Sequence, residues 1–136
     1  RLGAGNIPVT TNVDTVEEYD PATNLWGPVK ERMPTPRSGG GYTVCNGRIF
    51  AGGGEWITRE LHAAFKALEA YDPTTNTWQV LPSLPGAVHG NAFGCLNGKL
   101  HTVSGKMRAG GLQDAQDPAT ASHDVLDLPP QRGGTR

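Results

Sequence analysis

The side chains best suited to chemistry are a small set between residues 37 and 108: Arg37, Glu55, Trp56, His89 and Arg108. An arginine offers a fork of donors that fits a carboxylate, and a glutamate or histidine can move a proton. Brought together, the four charged or ionisable members would form a polar ring able to hold an anionic or polyhydroxyl ligand. Trp56, if exposed, would instead suit a protein partner.

Other chemistries lack the residue spacing that they need. The four histidines are widely separated, and the sequence contains neither Cys-x-x-Cys nor His-x-x-x-His. It contains no Gly-x-Ser-x-Gly, and no Gly-Lys-Ser or Gly-Lys-Thr follows the glycine triplets at 39–41 and 52–54. The sequence therefore predicts no metal site and no cofactor, and it identifies no catalytic residue.

The elements that would position the candidate residues must be short strands. The chain has 136 residues, 36% of them hydrophobic, with 19 glycines and 11 prolines, and such a turn-rich composition favours many strands over long helices. The formal net charge is −1 with both signs scattered, which argues against a nucleic-acid partner. No apolar run is long enough to predict a membrane span in this segment. The composition leaves the cellular location open.

An internal repeat organises these strands. Residues 16–26 and 68–78 share the pattern Tyr-Asp-Pro-x-Thr-Asn-x-Trp at an offset of 52, and Asn-Gly at 46–47 returns at 97–98. Asn-Gly predicts a two-residue hairpin that joins the first two strands of a unit. The Asp-Pro-x-Thr-Asn turn joins a third strand, ending at the Tyr, to a fourth beginning near the Trp. The predicted first and second strands cover residues 39–45, 48–52, 90–96 and 99–104.

This ordered set of residues resembles the kelch motif, closely over residues 13–105 and loosely over residues 106–128. The resemblance implies an all-β fold, a partial kelch β-propeller built of four-stranded antiparallel blades. It also implies a ring of roughly six or seven blades in the whole propeller. The remaining blades would then be absent from this chain.

The repeat boundaries predict a division of the chain into four parts. Residues 1–31 are expected to be the remnant of a preceding blade, entered in its middle, and residues 32–81 a kelch blade. Residues 82–128 are expected to be a last, incomplete kelch blade, and residues 129–136 a disordered tail. Within residues 32–81, apolar residues at helical spacing also allow a helical turn in residues 58–64, before the third strand.

The two cysteines are predicted to stay unpaired. Cys45 stands one residue before its Asn-Gly pair, whereas Cys95 stands two residues before the equivalent pair. On equivalent strands this difference directs the two side chains to opposite faces. We therefore expect two small hydrophobic residues rather than a disulfide.

In a propeller, the loops that enter each blade and those that follow its second strand gather on one face, where ligands usually sit. The five candidates fall in these loops, together with residues 38, 59, 88, 106 and 123. A structural alternative stays open for three of them. Arg37 would tie adjacent blades by bonding to carbonyls, Glu55 would be its partner, and His89 would merely end a strand. His62 and His101 are expected to be structural or to face solvent.

The sequence thus favours a binding or interaction module that takes a protein or carbohydrate ligand on the loop face. The alternative is a sugar-modifying enzyme, isomerase or oxidase-like, in which Glu55 and Arg37 supply acid–base chemistry and carboxylate binding. Whether the chain is an enzyme stays open at this stage. An enzyme needs its polar groups to converge on a concave pocket, whereas a protein-binding face shows exposed aromatic side chains on a flatter surface.

Overall fold

The structure, a computed structural model, describes residues 12–58, 61–109 and 118–128. Every regular element in these ranges is a β-strand. No helix in the described part of the chain is long and apolar enough to cross a membrane. The strands are β1 (Tyr19–Asp20), β2 (Leu25–Trp26), β3 (Gly41–Cys45), β4 (Arg48–Gly52), β5 (Glu55–Ile57), β6 (His62–Ala64), β7 (Leu68–Asp72), β8 (Thr77–Leu81), β9 (Ala92–Leu96), β10 (Lys99–Val103) and β11 (His123–Asp127).

The central element is an antiparallel sheet in the order β3-β4-β7-β8, called here the four-stranded blade. Its first hairpin turns at Asn46 and Gly47, whose φ angles are 50° and 75°. Two consecutive positive φ values are what a tight type I′ turn requires, and Asn-Gly tolerates them best. The strands predicted from the repeat are confirmed here to within two residues.

A second antiparallel sheet, in the order β9-β10-β11, is called here the three-stranded blade. It repeats the same turn at Asn97 and Gly98, with φ angles of 52° and 72°. Its third strand pairs in register from Lys99 opposite Asp127 to Val103 opposite His123. Within the described residues this blade has no fourth strand. Its third strand, β11, runs along the second strand over the whole length of both.

A hairpin built on β1 and β2 precedes the four-stranded blade. Beyond the two short strands its arms continue to pair, through Gly27 N to Glu18 O at 2.8 Å and Met33 N to Asp14 O at 2.9 Å. The hairpin is joined to the four-stranded blade through Glu31. The Glu31 carbonyl accepts a hydrogen bond from Trp78 Nε1 at 3.0 Å. Large residues at the fixed repeat positions thus link one unit to the next.

The core lies between the two blades. Phe50 and Leu100 are fully buried, each in the second strand of its own blade. Phe93 in β9 packs against the glycines of the four-stranded blade, and a Cβ added to Gly52 would lie 2.5 Å from Phe93 Cζ. Gly52 therefore lets the aromatic ring approach the backbone closely. The other buried members of this core are Cys45, Leu68, Ala70, Leu81, Leu84 and Val88.

The prediction of unpaired cysteines is wrong, because the structure joins Cys45 in β3 to Cys95 in β9 with Cα atoms 5.4 Å apart. The one-residue difference in their positions is real. However, β3 and β9 are neighbouring strands of successive blades, and these blades pack face to face. The facing surfaces are opposite faces of equivalent strands, so the difference directs the two side chains toward each other.

The helical turn allowed in residues 58–64 is not found in the described part of that segment. Instead, β5 and β6 pair as an antiparallel hairpin with Trp56 opposite Ala63. Thr58 N donates to Leu61 O at 2.8 Å, and Leu61 N donates to Thr58 Oγ1 at 2.9 Å. A helix pairs each N–H with a carbonyl earlier in the chain, so the Thr58 N to Leu61 O bond belongs to the hairpin.

Two sequence expectations fall outside the described residues. They are the start of the chain in mid-blade, based on residues 1–5, and the disordered tail at 129–136. The division into parts at residues 31, 81 and 128 stays a prediction.

Candidate functional site

Arg37 forms a buried clasp just before β3. Its Nη1 donates to Gly53 O at 2.6 Å and to Ala67 O at 3.2 Å, and its Nη2 pairs with the Glu69 carboxylate. Thr35 Oγ1 donates to the other Glu69 oxygen. The side chains of Arg37 and Glu69 are 0% and 2% exposed. Every donor in this clasp therefore serves the four-stranded blade itself rather than a ligand.

Part of the structural alternative for Arg37 is thus observed, and part of it is corrected. Arg37 does bond to carbonyls, but those of Gly53 and Ala67 belong to the same blade, so it does not tie adjacent blades. Its carboxylate partner is Glu69, not Glu55. The physical reason is register. Glu69 lies in β7 directly opposite Ala51, which places its carboxylate beside the segment that enters β3.

Glu55 and His89 form a second buried pair. Glu55 Oε2 lies 3.3 Å from His89 Nδ1, and the two residues are 5% and 9% exposed. The backbone of Glu55 also pairs with Ser38 in an isolated bridge, and that of His89 pairs likewise with Lys106. The segment entering each blade is thereby fixed to the end of the second strand of that blade. Glu55 and His89 are thus the two candidates that the structure brings into contact with each other.

Trp56 and Arg108 are the exposed members of the candidate set. Trp56 lies in the middle of β5 and is 40% exposed. Arg108 is exposed and follows Met107, which occupies in the three-stranded blade the position that Trp56 has in the other repeat. A ring of four polar residues around one ligand is therefore not what the described structure presents.

Two cavities that border the four-stranded and three-stranded blades do not gather the candidates either. A cleft of about 340 Å³ lies between the preceding hairpin and the four-stranded blade, and of the five candidates only Arg37 borders it. A cavity of about 190 Å³ lies under the segment that enters the three-stranded blade, and none of the five borders it. Tyr42 also lines the larger cleft. Desolvation raises the pKa of its phenol, the charge of Arg37 opposes the rise, and the charge of Glu69 adds to it.

The aspartates of the repeated turns show the opposite effect. Ala22 N donates to the Asp20 carboxylate at 2.8 Å, and Thr74 N donates to that of Asp72 at 2.8 Å. Together with the hydroxyls of Thr23 and Thr74, these donors lower the pKa of both carboxyl groups, because they stabilise the charged form. Asp20 is exposed and Asp72 partly exposed, and each carboxylate is bonded within its own turn, so they serve the turns and not a site.

The sequence analysis did not identify Glu69 as the buried carboxylate partner of Arg37. A signal was available, because an acidic residue stands two places before the third-strand Tyr in both repeats, at Glu17 and Glu69. Asp124 stands in the same relation to Leu126. Of these three residues Glu69 is the buried one, and a buried acidic residue needs a partner of opposite charge.

Comparison with known proteins agrees with the repeat. The kelch motif family matches residues 36–85. Kelch-like protein terF of Aspergillus terreus is 32% identical over 98 residues, which is 72% of this chain and 21% of that protein. Kelch-like ECH-associated protein 1A of Danio rerio is 32% identical over 94 residues, which is 69% of this chain and 16% of that protein.

A solved structure, that of YjhT, superposes with a TM-score of 0.54 at 26% identity, covering 61% of this chain and 25% of YjhT. This chain therefore spans about a fifth or less of the length of the two curated relatives and a quarter of the structural one. The antiparallel blades, the repeated turns and these matches agree with one another. The chain belongs to the kelch-repeat family, and its described strands form part of a kelch β-propeller.

Proposed function

We propose that this part of the propeller acts as a protein-interaction module, and that its partner contacts the exposed face of the β5–β6 hairpin. The observation that carries the proposal is the contrast in exposure between Trp56 and three of the four polar candidates. Trp56 is 40% exposed, whereas Arg37, Glu55 and His89 are at most 9% exposed and are bonded within the fold.

The hairpin presents an apolar face that its own pairing arranges. Trp56 stands opposite Ala63, and Thr58 is bonded to Leu61. Because side chains alternate along a strand, Trp56 and Leu61 lie on the same face of the hairpin. Leu61 is 53% exposed. Tryptophan is one of the residue types that supply most of the binding energy in protein interfaces, and Leu61 extends the apolar surface beside it.

The relatives support the same class of function. The zebrafish relative is named as ECH-associated, that is, by its association with another molecule. The acid–base alternative has less support from the geometry. Glu55 does not border the cleft that Arg37 lines, and Arg37 already has the partners that a substrate carboxylate would need to displace. The interaction module is therefore the better supported function.

The test is affinity capture with the 136-residue chain, run in parallel with Trp56→Ala and Val80→Ala variants. Val80 is 69% exposed on β8 and serves as the matched control, because it removes an exposed apolar side chain elsewhere. A protein captured by the wild type and by Val80→Ala is then purified, and its affinity is measured by calorimetry. We expect Trp56→Ala to weaken binding about thirtyfold, the effect of losing one interface anchor.

Two results would contradict the proposal. One is equal affinity of the Trp56→Ala and Val80→Ala variants for the captured protein. The other is a sugar or sugar acid that raises the melting temperature of the wild type and of both variants. That second outcome would indicate a carbohydrate ligand that binds elsewhere on the loop face.

A further inference from the structure

The segments that enter the two blades can be compared position by position. Arg37 precedes the four-stranded blade, and Val88 stands 51 residues later, before the three-stranded blade. A Cβ added to Gly54 would lie 3.0 Å from the Cβ of Arg37, and one added to Gly105 would lie 3.2 Å from the Cβ of Val88. Val88 therefore takes, in the three-stranded blade, the place of Arg37.

The acidic partner has an equivalent as well. Glu69 in β7 stands opposite Ala51, and Asp124 in β11 stands opposite Thr102. Ala51 and Thr102 are separated by the same 51 residues that separate the two entry segments. Asp124 therefore takes the place of Glu69, with a side chain one methylene shorter.

The carbonyl groups of the Arg37 clasp recur in the same way. Gly53 N donates to Ala67 O at 3.0 Å, and Ser104 N donates to Ser122 O at 2.8 Å. Gly53 O and Ala67 O are the two carbonyls that accept from Arg37. Ser104 and Ser122 therefore present the equivalent pair of carbonyl acceptors in the three-stranded blade.

The two blades differ in their donors. Val88 has no donor group, and Gly86 stands where Thr35 donates its hydroxyl to Glu69. The Asp124 carboxylate forms no hydrogen bond or ion pair with another residue in the described ranges. The cavity of about 190 Å³ lies at this place, and its size is well above the roughly 10–15 Å³ that one water needs. Its lining includes residues 84–88, Thr102, Ser104, Ser122 and Asp124.

We propose that this cavity is a binding site for a guanidinium group. Asp124 accepts the forked pair of N–H donors, and the carbonyls of Ser104 and Ser122 accept the remaining ones, as Glu69, Gly53 and Ala67 do for Arg37. The cavity is thus a slot for an arginine side chain, and that side chain must come from another molecule or another segment of polypeptide.

The chemistry of the lining favours guanidinium over other cations. A planar fork can satisfy one carboxylate and two carbonyls at once, whereas an ammonium group is a compact point charge with no such geometry. A divalent metal needs several oxygen ligands in a closed shell, and Asp124 is the one carboxylate in the lining. The side-chain hydroxyls of Thr102, Ser104 and Ser122 add polar contacts without adding charge.

The first test is a titration of the 136-residue chain with methylguanidinium chloride, followed by the backbone amide signals in two-dimensional NMR. Methylammonium chloride is the control of equal charge, and Asp124→Asn is the matched variant of equal shape. We expect saturable shifts at Ser104, Ser122 and Asp124 with methylguanidinium. We expect Asp124→Asn to weaken binding about ten- to a hundredfold, the loss of a charge-assisted hydrogen-bonded pair. Equal responses to both cations, or an unchanged affinity in Asp124→Asn, would overturn the proposal.

The second test fills the slot from within the chain. Val88→Arg should abolish methylguanidinium binding. Its stability should depend on Asp124, so that Val88→Arg combined with Asp124→Asn is less stable than the two separate changes predict. Additive effects in this double-mutant cycle would contradict the assignment. If Val88→Arg does not fold, the titration of the wild type and of Asp124→Asn still decides the question.

A third arm of the titration distinguishes between the two possible sources of the guanidinium group. Free arginine and the capped tripeptide Gly-Arg-Gly are compared with methylguanidinium. Binding of free arginine but not of the tripeptide assigns the slot to a small guanidino compound. Binding of the tripeptide assigns it to an arginine side chain of a polypeptide segment.

Discussion

The four-stranded and three-stranded blades share the pairing register of their first three strands and the Asn-Gly turn between the first two, but their interiors differ. In the first, Arg37 and Glu69 form a clasp that is almost completely removed from solvent. In the second, Val88 and Asp124 occupy the equivalent positions beside a cavity. The backbone of a kelch blade therefore does not depend on the clasp. What the clasp determines is whether a polar slot is satisfied by the blade's own side chains or is left for another group.

The largest expected effect on the free energy of unfolding distinguishes the two equivalent acidic residues, Glu69 and Asp124. Glu69→Gln should lower the free energy of unfolding by about 3–5 kcal/mol, because it leaves the buried Arg37 charge without its partner. Asp124→Asn should change it by no more than about 0.5 kcal/mol, because no described residue depends on that charge. Urea unfolding of both variants measures this. Similar losses in the two would mean that Asp124 is paired in solution and that the blades do not differ.

Removal of the disulfide between the blades should have the next largest effect on stability. Replacing Cys45 and Cys95 together by alanine should cost about 2–4 kcal/mol, because the disulfide closes a long loop in the unfolded chain. Amide hydrogen exchange should show the larger loss of protection in β9 to β11, which lack a fourth strand among the described residues. Detection of two free thiols in the denatured, unreduced wild type would show that the link is not formed.

A third prediction concerns equivalent positions at the end of the second strand. Gly52→Ala should cost about 1–3 kcal/mol, because the new Cβ meets the Phe93 ring of the adjoining blade. Val103 stands 51 residues later and is 41% exposed, so Val103→Ala should cost less than about 0.5 kcal/mol. Thermal unfolding compares the two. A neutral Gly52→Ala would mean that the blades are not packed through Phe93.

The smallest effect belongs to the turn of the four-stranded blade. The pKa of Asp72 is lowered in the folded chain, so as the pH falls the unfolded chain takes up the proton first. The stabilisation from the turn is therefore complete above the ordinary carboxyl pKa of about 3.9 and is lost as the pH falls through the lower folded value. Asp72→Asn should flatten this part of the stability profile in urea unfolding between neutral and acidic pH. An unchanged profile would contradict the role of the Thr74 hydrogen bonds.

Local signals were sufficient for most of the fold. Asn-Gly and Asp-Pro-x-Thr-Asn act within a few residues, so they predicted the hairpins and turns from their own chemistry. Two of the errors involve contacts between elements. The Cys45–Cys95 pairing depends on which faces of successive blades meet, and the partner of Arg37 depends on the register of β7. Neither is encoded in a short stretch of sequence.

The candidate site shows the same limit more strongly. Arg37, Glu55 and His89 were selected by residue type and by loop position, and both are properties of the sequence. Burial then distinguished them from Trp56, because the loop segments fold back onto the ends of β4 and β10. The cavity beside Asp124 could be found only by comparing the two blades in space, since a valine at position 88 carries no signal by itself.

The disulfide also has a consequence for how the chain responds to force. Fifty residues separate Cys45 from Cys95, so when the bond is intact they cannot add to the length of a chain pulled by its ends. Once the bond is reduced, the same stretch can extend by about 170 Å. In the oxidised chain, tension would bypass most of the four-stranded blade, and the length released on unfolding would report its redox state.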